Sequence, residues 1–236
     1  MLPNLFRKLR RIGPIHAGLT ALRNAGLVTP RQEGPRGVAR YGHRDYVGGA
    51  WDQMGKLQFD FLVARGLKPQ DVFLDVACGA FRGGVFFIRY LDRGNYLGIE
   101  KEELLITEGI AKELGPELVE EKAPEIVISG AFEFQKLSKT PSFALAQSLF
   151  THLCSADIEL CLGNLRAFVR PGCRLYASFF ETHAVRTNYK TSHAHVSFFY
   201  TRRQMERLGE EHGWRAAYIG GWRHPAGQVM MEFVAI

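Results

Sequence analysis

The sequence predicts an α/β domain built on a mostly parallel, seven-stranded sheet with helices on both faces, a reversed final strand and a helical N-terminal extension. Three observations carry this expectation. Between Val72 and Phe180, short apolar runs rich in strand formers alternate with helical segments, the order that parallel strands joined by crossover helices produce. The first strand runs directly into a glycine-rich turn and a helix. The last two strands, Trp214–Ile219 and Gln228–Val234, are joined only by Gly220–Gly227, which fits an antiparallel edge pair.

The elements follow in order. Residues 1–49 form a basic extension and residues 50–236 the domain. Within the extension, Leu5–Leu9 and Ile15–Leu27 read as short helices separated by Gly13-Pro14, and Thr29–Gly49, rich in Gly, Pro and Arg, reads as a loop or linker. Trp51, Met54, Leu57, Phe61 and Leu62 follow helical spacing and make a helix ending near Gly66. Val72–Ala77 is the first strand, with a helix from Gly83 to Leu91. Tyr96–Ile99 is the second strand, followed by a helix over Lys101–Leu114. Glu125–Ser129 and Phe143–Gln147 are the third and fourth. The next helix has Ser155 as cap and Ile158, Cys161, Leu162, Leu165 and Val169 as its apolar stripe, and Pro171-Gly172 stops it. Arg174–Phe180 is the fifth strand. Thr201 and Gln204 have capping-box spacing for a helix that Gly213 closes.

Charge is unevenly distributed. Of the net +6, residues 1–49 carry +7 and the remainder −1. Such an arm suits nucleic acid, an anionic membrane surface or an acidic substrate, and equally a solvated extension. No stretch approaches the ~20 apolar residues of a membrane span, and no apolar core follows Arg11 to make a secretory leader. Cys78, Cys154, Cys161 and Cys173 form no CxxC pair, so reduced thiols and a cytoplasmic location are expected. His193-Ala-His195 lacks a third ligand in its vicinity, and no metal site is expected.

The segment from Val72 to Glu103 carries the chemistry. Its first strand ends in Asp75, its turn holds Gly79, Gly83 and Gly84, and its second strand ends in Glu100. Ligands of such sheets sit beyond the carboxyl ends of the strands. Glycines let the backbone approach a ligand closely, and an acid closing the second strand can accept from both ribose hydroxyls. The dinucleotide fingerprint needs a glycine where Phe81 stands, and a benzyl group there would crowd a pyrophosphate. The turn also lacks the Lys-Ser/Thr of a phosphate loop. A nucleoside without phosphates fits better, and S-adenosylmethionine is the common one. Taken singly, the glycine turn also suits tight strand-to-helix packing, and Asp75 or Glu100 could be a helix cap.

Over roughly residues 70–235 the sequence resembles the class I S-adenosylmethionine-dependent methyltransferases, a Rossmann-like family. The resemblance rests on Asp75-Val-Ala-Cys-Gly79, Glu100, the fourth strand Phe143–Phe150, and Arg170-Pro171-Gly172 before the fifth. It implies that Asp75 and Gly79 line the methionine portion of the donor, that Glu100 holds the ribose, that Gly130-Ala131-Phe132 lies against adenine, that Gln147 flanks the donor, and that Ala77 and Lys101 belong to the same cofactor-binding set. Ala77 stands where the family has glycine, and an alanine calls for a more ordinary backbone angle. No clear acid follows the third strand, so adenine selection falls to backbone groups. Arg82 is placed to pair with the donor's carboxylate or an acidic acceptor, or else faces solvent.

A hydroxyl acceptor needs a base, and a neutral histidine is the usual one. His152, after the fourth strand, is the first choice, with hydrogen bonding to the loop as its structural alternative. His183, after the fifth strand, is the second. Glu181–Tyr200, with Tyr189, His193 and His195, reads as a lid or acceptor wall, and Tyr41, Tyr46 and Gly48-Gly49 as a segment folded over the donor. The expected partner is a small-molecule acceptor, methylated on a hydroxyl, and a homodimer is left open. Nucleic acid is disfavoured because Gln147-Ser148-Leu149-Phe150 lacks the prolines of base-methylating enzymes and no cysteine follows a proline. An enzyme acting on a protein side chain or ribose, a non-catalytic nucleoside-binding protein and a nicotinamide oxidoreductase are the rivals, the last disfavoured by Phe81.

Overall fold

A computed structural model of the chain describes residues 30–236. The helices expected at 5–9 and 15–27 therefore lie outside the described residues. Five parallel strands form the body of the sheet: β1 (Phe73–Val76), β2 (Tyr96–Glu100), β3 (Glu125–Ile128), β4 (Phe143–Ala146) and β5 (Arg174–Glu181). Beyond a short β6 (Phe199–Tyr200) come β7 (Trp214–Gly221) and β8 (Val229–Ala235). The order is β3-β2-β1-β4-β5-β8-β7, with β8 antiparallel to both β5 and β7. The sequence pattern misses β6, which pairs with the far end of β5 through Phe180↔Phe199 and makes the sheet eight-stranded. Two residues are too short to leave a period-2 signal.

The central strands are apolar, apart from Asp75 and Glu100 at the site, because both of their faces are covered. Every residue of β1 and β2 is buried. Leu74 and Val76 point to one face and Phe73 and Asp75 to the other, as the pleat requires. On the first face they meet α7 (Ser155–Phe168) and α8 (Arg202–Glu211), with Leu162, Leu165, Met205 and Trp214 in one core. On the second lie α3 (Trp51–Ala64), α4 (Gly84–Tyr90) and α5 (Glu103–Gly109), with Leu62, Phe87 and Ile106 in the other. Each fully buried side chain of this size contributes about 1.5–3 kcal/mol, so the strand ends that carry the site are held from both sides.

Two local expectations are corrected. Thr29–Gly49 is not a loop throughout: α1 (Gly34–Tyr41) and α2 (His43–Tyr46) form within it. Pro35 occupies the first turn of α1, where a missing N–H costs nothing, and Gly42 at φ 76° ends the helix. Gly and Pro here punctuate helices. The same Gly-Pro device starts α6 (Pro116–Lys122) after the π-helical turn Ile110–Leu114 that ends the α5 segment. Ser155 does not cap α7. Cys154 holds that position without a side-chain cap, and its N–H donates to Ser192 Oγ at 2.9 Å. The Thr201/Gln204 capping box of α8 is present in full.

Among the described residues no helix is long and apolar enough to cross a membrane. The four cysteines are buried and free.

Candidate functional site

At the carboxyl ends of β1, β2 and β4 the sheet opens into a cavity of about 780 Å³. Asp75, Ala77, Gly79, Arg82, Glu100, Lys101, Gly130, Phe132, Gln147 and His152 all line it. Ala131 and His183 do not. Ala131 is an exposed neighbour of the wall, its carbonyl accepting from Asn164 Nδ2 at 3.2 Å. His183 is exposed on the loop that leaves β5, which passes over the surface after Thr182 donates to the Tyr200 carbonyl.

One half of the cavity is the strand–turn–helix unit. The N–H of Gly79, at φ 58°, donates to Glu100 Oε2 at 2.9 Å, and the N–H groups of Lys101 and Glu102 donate to Oε1 at 2.9 and 3.0 Å. The helix does not begin at Lys101 but at Glu103, with Glu102 in the cap position and no side-chain cap, so these bonds fix the turn before α5 and Glu100 does not cap the helix. Burial pushes Glu100 up, and these three backbone bonds oppose that shift. Asp75 Oδ2 accepts the Tyr96 hydroxyl at 2.9 Å. Burial drives its carboxyl up to about 7, against the Tyr96 bond and with the Glu100 charge adding to it. Gly83 leaves room for α3, since a Cβ there would sit 2.5 Å from Gln58 Oε1. Ser129, Gly130, Phe132 and Leu105 form the far wall.

The other half is a web of amides and hydroxyls. Gln147 Oε1 accepts from Arg82 Nη2 at 2.8 Å and Gln58 Nε2 at 3.3 Å, while its own Nε2 donates to Ser148 Oγ at 2.8 Å. Gln228 Nε2 donates to the same Oγ at 2.6 Å, and Gln228 Oε1 accepts from the Ser178 hydroxyl at 2.7 Å. His224 Nε2 lies 3.2 Å from Gln147 Nε2. Burial holds His224 and His195 down at about 4, so both imidazoles are neutral at pH 7. His152 Nδ1 is 2.7 Å from the Val196 carbonyl. That oxygen only accepts, so Nδ1 carries a hydrogen, and in the neutral imidazole the lone pair then falls on Nε2.

The N-terminal segment closes the cavity from above. Arg82 Nη1 donates to the carbonyls of Val47 (2.8 Å) and Gly49 (3.0 Å), clasping that loop to the glycine turn. Glu33 Oε1 accepts from the Ala194 N–H at 2.5 Å, and Glu33 also pairs with His193 at 3.4 Å and Lys101 at 3.5 Å. Arg44 and His43 anchor α2 on Glu113, with contacts of 2.6–2.7 Å. Burial raises Glu113, but the hydrogen bonds from Arg44 and His43 outweigh it and leave the carboxyl below its ordinary value.

Two sequence arguments change here. Ala77 holds φ 61°, so alanine adopts the left-handed angle that glycine would take. It is one of several non-glycine residues strained at the cavity, with Ala50, Phe132 and Ser148, as functional sites tend to be. Phe81 also sits at φ 66°, and its ring is fully buried against Tyr96 in the core. It does not project into the cavity, so the crowding argument against a pyrophosphate loses its steric basis. Arg82 spends its terminal nitrogens on protein oxygens, and its role is to join the two halves.

Sequence reasoning missed Gln58, Ser148, Gln228 and Glu33. Gln58 had a signal: it is a buried polar residue on the apolar face of α3. The others meet the site only through folding.

No family model matches the sequence. Solved structures share its fold. A magnesium protoporphyrin IX methyltransferase from Synechocystis PCC 6803, with S-adenosylhomocysteine bound, superposes with a TM-score of 0.60 at 13% identity, over 86% of this chain and 95% of that one. DesVI of Streptomyces venezuelae gives 0.60 at 16%, over 84% and 98%. An amino pentose methyltransferase from Micromonospora echinaspora, with S-adenosylmethionine bound, gives 0.59 at 15%, over 87% and 98%.

Proposed function

We propose that this chain is an S-adenosylmethionine-dependent methyltransferase acting on a hydroxyl of a small, polar molecule. The observation that carries the reading is that the buried Glu100 carboxylate and the His152 imidazole line the same cavity, one in each half. Its volume lies within the range of small-molecule sites. When bound, the donor supplies an electrophilic methyl on a sulfonium. Glu100 would receive the ribose hydroxyls, Asp75 the donor's ammonium, and Gly130 with Phe132 the adenine. The web around Gln147 would orient the acceptor, and His152 Nε2 would take the hydroxyl proton as oxygen attacks the methyl. The oxygen–methyl bond would form as the methyl–sulfur bond breaks, leaving S-adenosylhomocysteine with a neutral sulfur.

The solved neighbours support a small acceptor, since two are named for methylating a porphyrin and an amino pentose. The wall of amides, hydroxyls and neutral imidazoles supports a polar one. Four free, buried thiols support a reducing, cytoplasmic setting. Residues 30–49 of the basic extension would serve as part of the cavity's cover.

The test is S-adenosylhomocysteine release from S-adenosylmethionine over a panel of hydroxyl and amine acceptors. Turnover on a hydroxyl is expected, with kcat falling about 10²–10⁴-fold in His152→Ala while donor affinity stays level. Near-normal turnover in that variant would remove His152 from the mechanism. Methylation of amines alone would overturn the hydroxyl assignment.

A further inference from the structure

Another cavity, of about 460 Å³, lies at the opposite end of the sheet from the site. Arg174 opens β5, and Arg174 and Arg215 both pair with Val234 of β8, one from each side. At strand spacings near 4.8 Å, their Cα atoms stand roughly 10 Å apart on one face of the sheet. Arg65 arrives from the end of α3, its guanidinium 5.1 Å from the centre of the Phe61 ring. On the floor, the Tyr176 hydroxyl donates to Glu232 Oε1 at 2.6 Å.

The charges of this cluster are not balanced. Among the described residues, none of the three arginines forms an ion pair. Residues 1–29 contain no Asp or Glu, so they cannot supply a carboxylate either. The chain beyond residue 49 carries a net −1, and three arginines lining one cavity are therefore a local feature. Guanidinium forks match the oxygens of a phosphate and bind it better than a point charge does.

We infer that this cavity binds a phosphate group, free or as a monoester. Glu232 supplies the discrimination. Its Oε1 is engaged by Tyr176, and the carboxylate repels an anion that has no hydrogen to give it. A phosphate retaining one P–O–H donates to it, whereas sulfate cannot. The three guanidinium groups neutralise the remaining charge. The site is distinct from the methyl-transfer cavity, with no lining residue in common.

Calorimetric titration of the full chain with inorganic phosphate, and separately with sulfate, tests this in a low-chloride buffer at neutral pH. One saturable phosphate site is expected, with sulfate at least about tenfold weaker. Arg174→Gln and Arg215→Gln alter exposed side chains and should each weaken phosphate about tenfold or more. Glu232→Gln should bring sulfate level with phosphate. S-adenosylhomocysteine titration and the melting midpoint of each variant report an intact fold. Absence of saturable heat up to about 10 mM phosphate, or equal affinity in the arginine variants, would overturn the proposal. A glucose 6-phosphate arm separates the sources: binding as tight as the free ion admits monoesters, and loss of binding restricts the site to free phosphate.

Discussion

The half of the cavity proposed to hold the donor comes largely from one unbroken stretch, Asp75 to Leu105, with a short contribution after β3. The half proposed to face the acceptor is gathered from α3, the turn after β4, the segment before β6 and the β7–β8 connection. Its bonds span the chain: Gln58 meets Gln147 across 89 residues and Gln147 approaches His224 across 77. A strand, a glycine turn and a helix arrange themselves locally, so the first half is dictated by neighbours in sequence. The second half exists only when four segments are each docked correctly. The first half is therefore the part fixed by the fold, and the second the part that loop changes can rebuild.

Arg82 is where the contrast is most easily broken, because its guanidinium spans both halves. Burial pulls it down to about 10, with Asp75 opposing, so it stays charged at neutral pH. Arg82→Met would strip hydrogen bonds from the carbonyls of Val47 and Gly49 and from Gln147 Oε1. A loss of about 2–4 kcal/mol in unfolding free energy is expected, measured by urea denaturation, together with weaker donor binding. Unchanged stability would mean that the two halves stand independently.

The same contrast explains what can be read from the amino-acid order alone. The parallel strands, the closing antiparallel pair and the line Asp75–Gly79–Glu100 are local patterns, and they are legible in the sequence. So is the position of His152, because it follows a strand end. His183 follows a strand end too, yet the chain there runs outward, and sequence position alone does not distinguish the two. Glu33, Ser148 and Gln228 carry no periodic or motif signal. Their places depend on long-range docking, as does the return of residues 34–49 over the cavity.

Asp75 sharpens the comparison from the donor side. Its carboxyl titrates near 7 in the fold, against about 3.9 in an unfolded chain. The folded protein therefore binds the extra proton between those values, and this group's contribution to stability declines as pH rises from about 4 through 7. A cationic donor requires the carboxylate. Donor binding near pH 6.5 should thus release most of one proton, seen as an enthalpy that varies with the buffer's ionisation enthalpy. Asp75→Asn should abolish that variation, and buffer-independent binding by the wild type would separate Asp75 from the donor's charge.

The smallest effect belongs to Ala77, which holds φ 61° without being glycine. Ala77→Gly relieves the left-handed strain, about 1–2 kcal/mol for an L-residue, and loses part of that to unfolded-chain entropy. A net gain of up to about 1 kcal/mol is expected in thermal unfolding. A net loss would show that the alanine methyl contributes packing that outweighs its backbone strain.

We propose that the local half of the cavity holds S-adenosylmethionine through Glu100. This binding is tested most directly by calorimetric titration with S-adenosylhomocysteine, with NAD as control and Glu100→Ala beside the wild type. Saturable binding of S-adenosylhomocysteine alone is expected, weakened about a hundredfold in the variant, as loss of hydrogen bonds to a charged group entails. Binding of NAD in its place, or S-adenosylhomocysteine binding indifferent to Glu100, would contradict it.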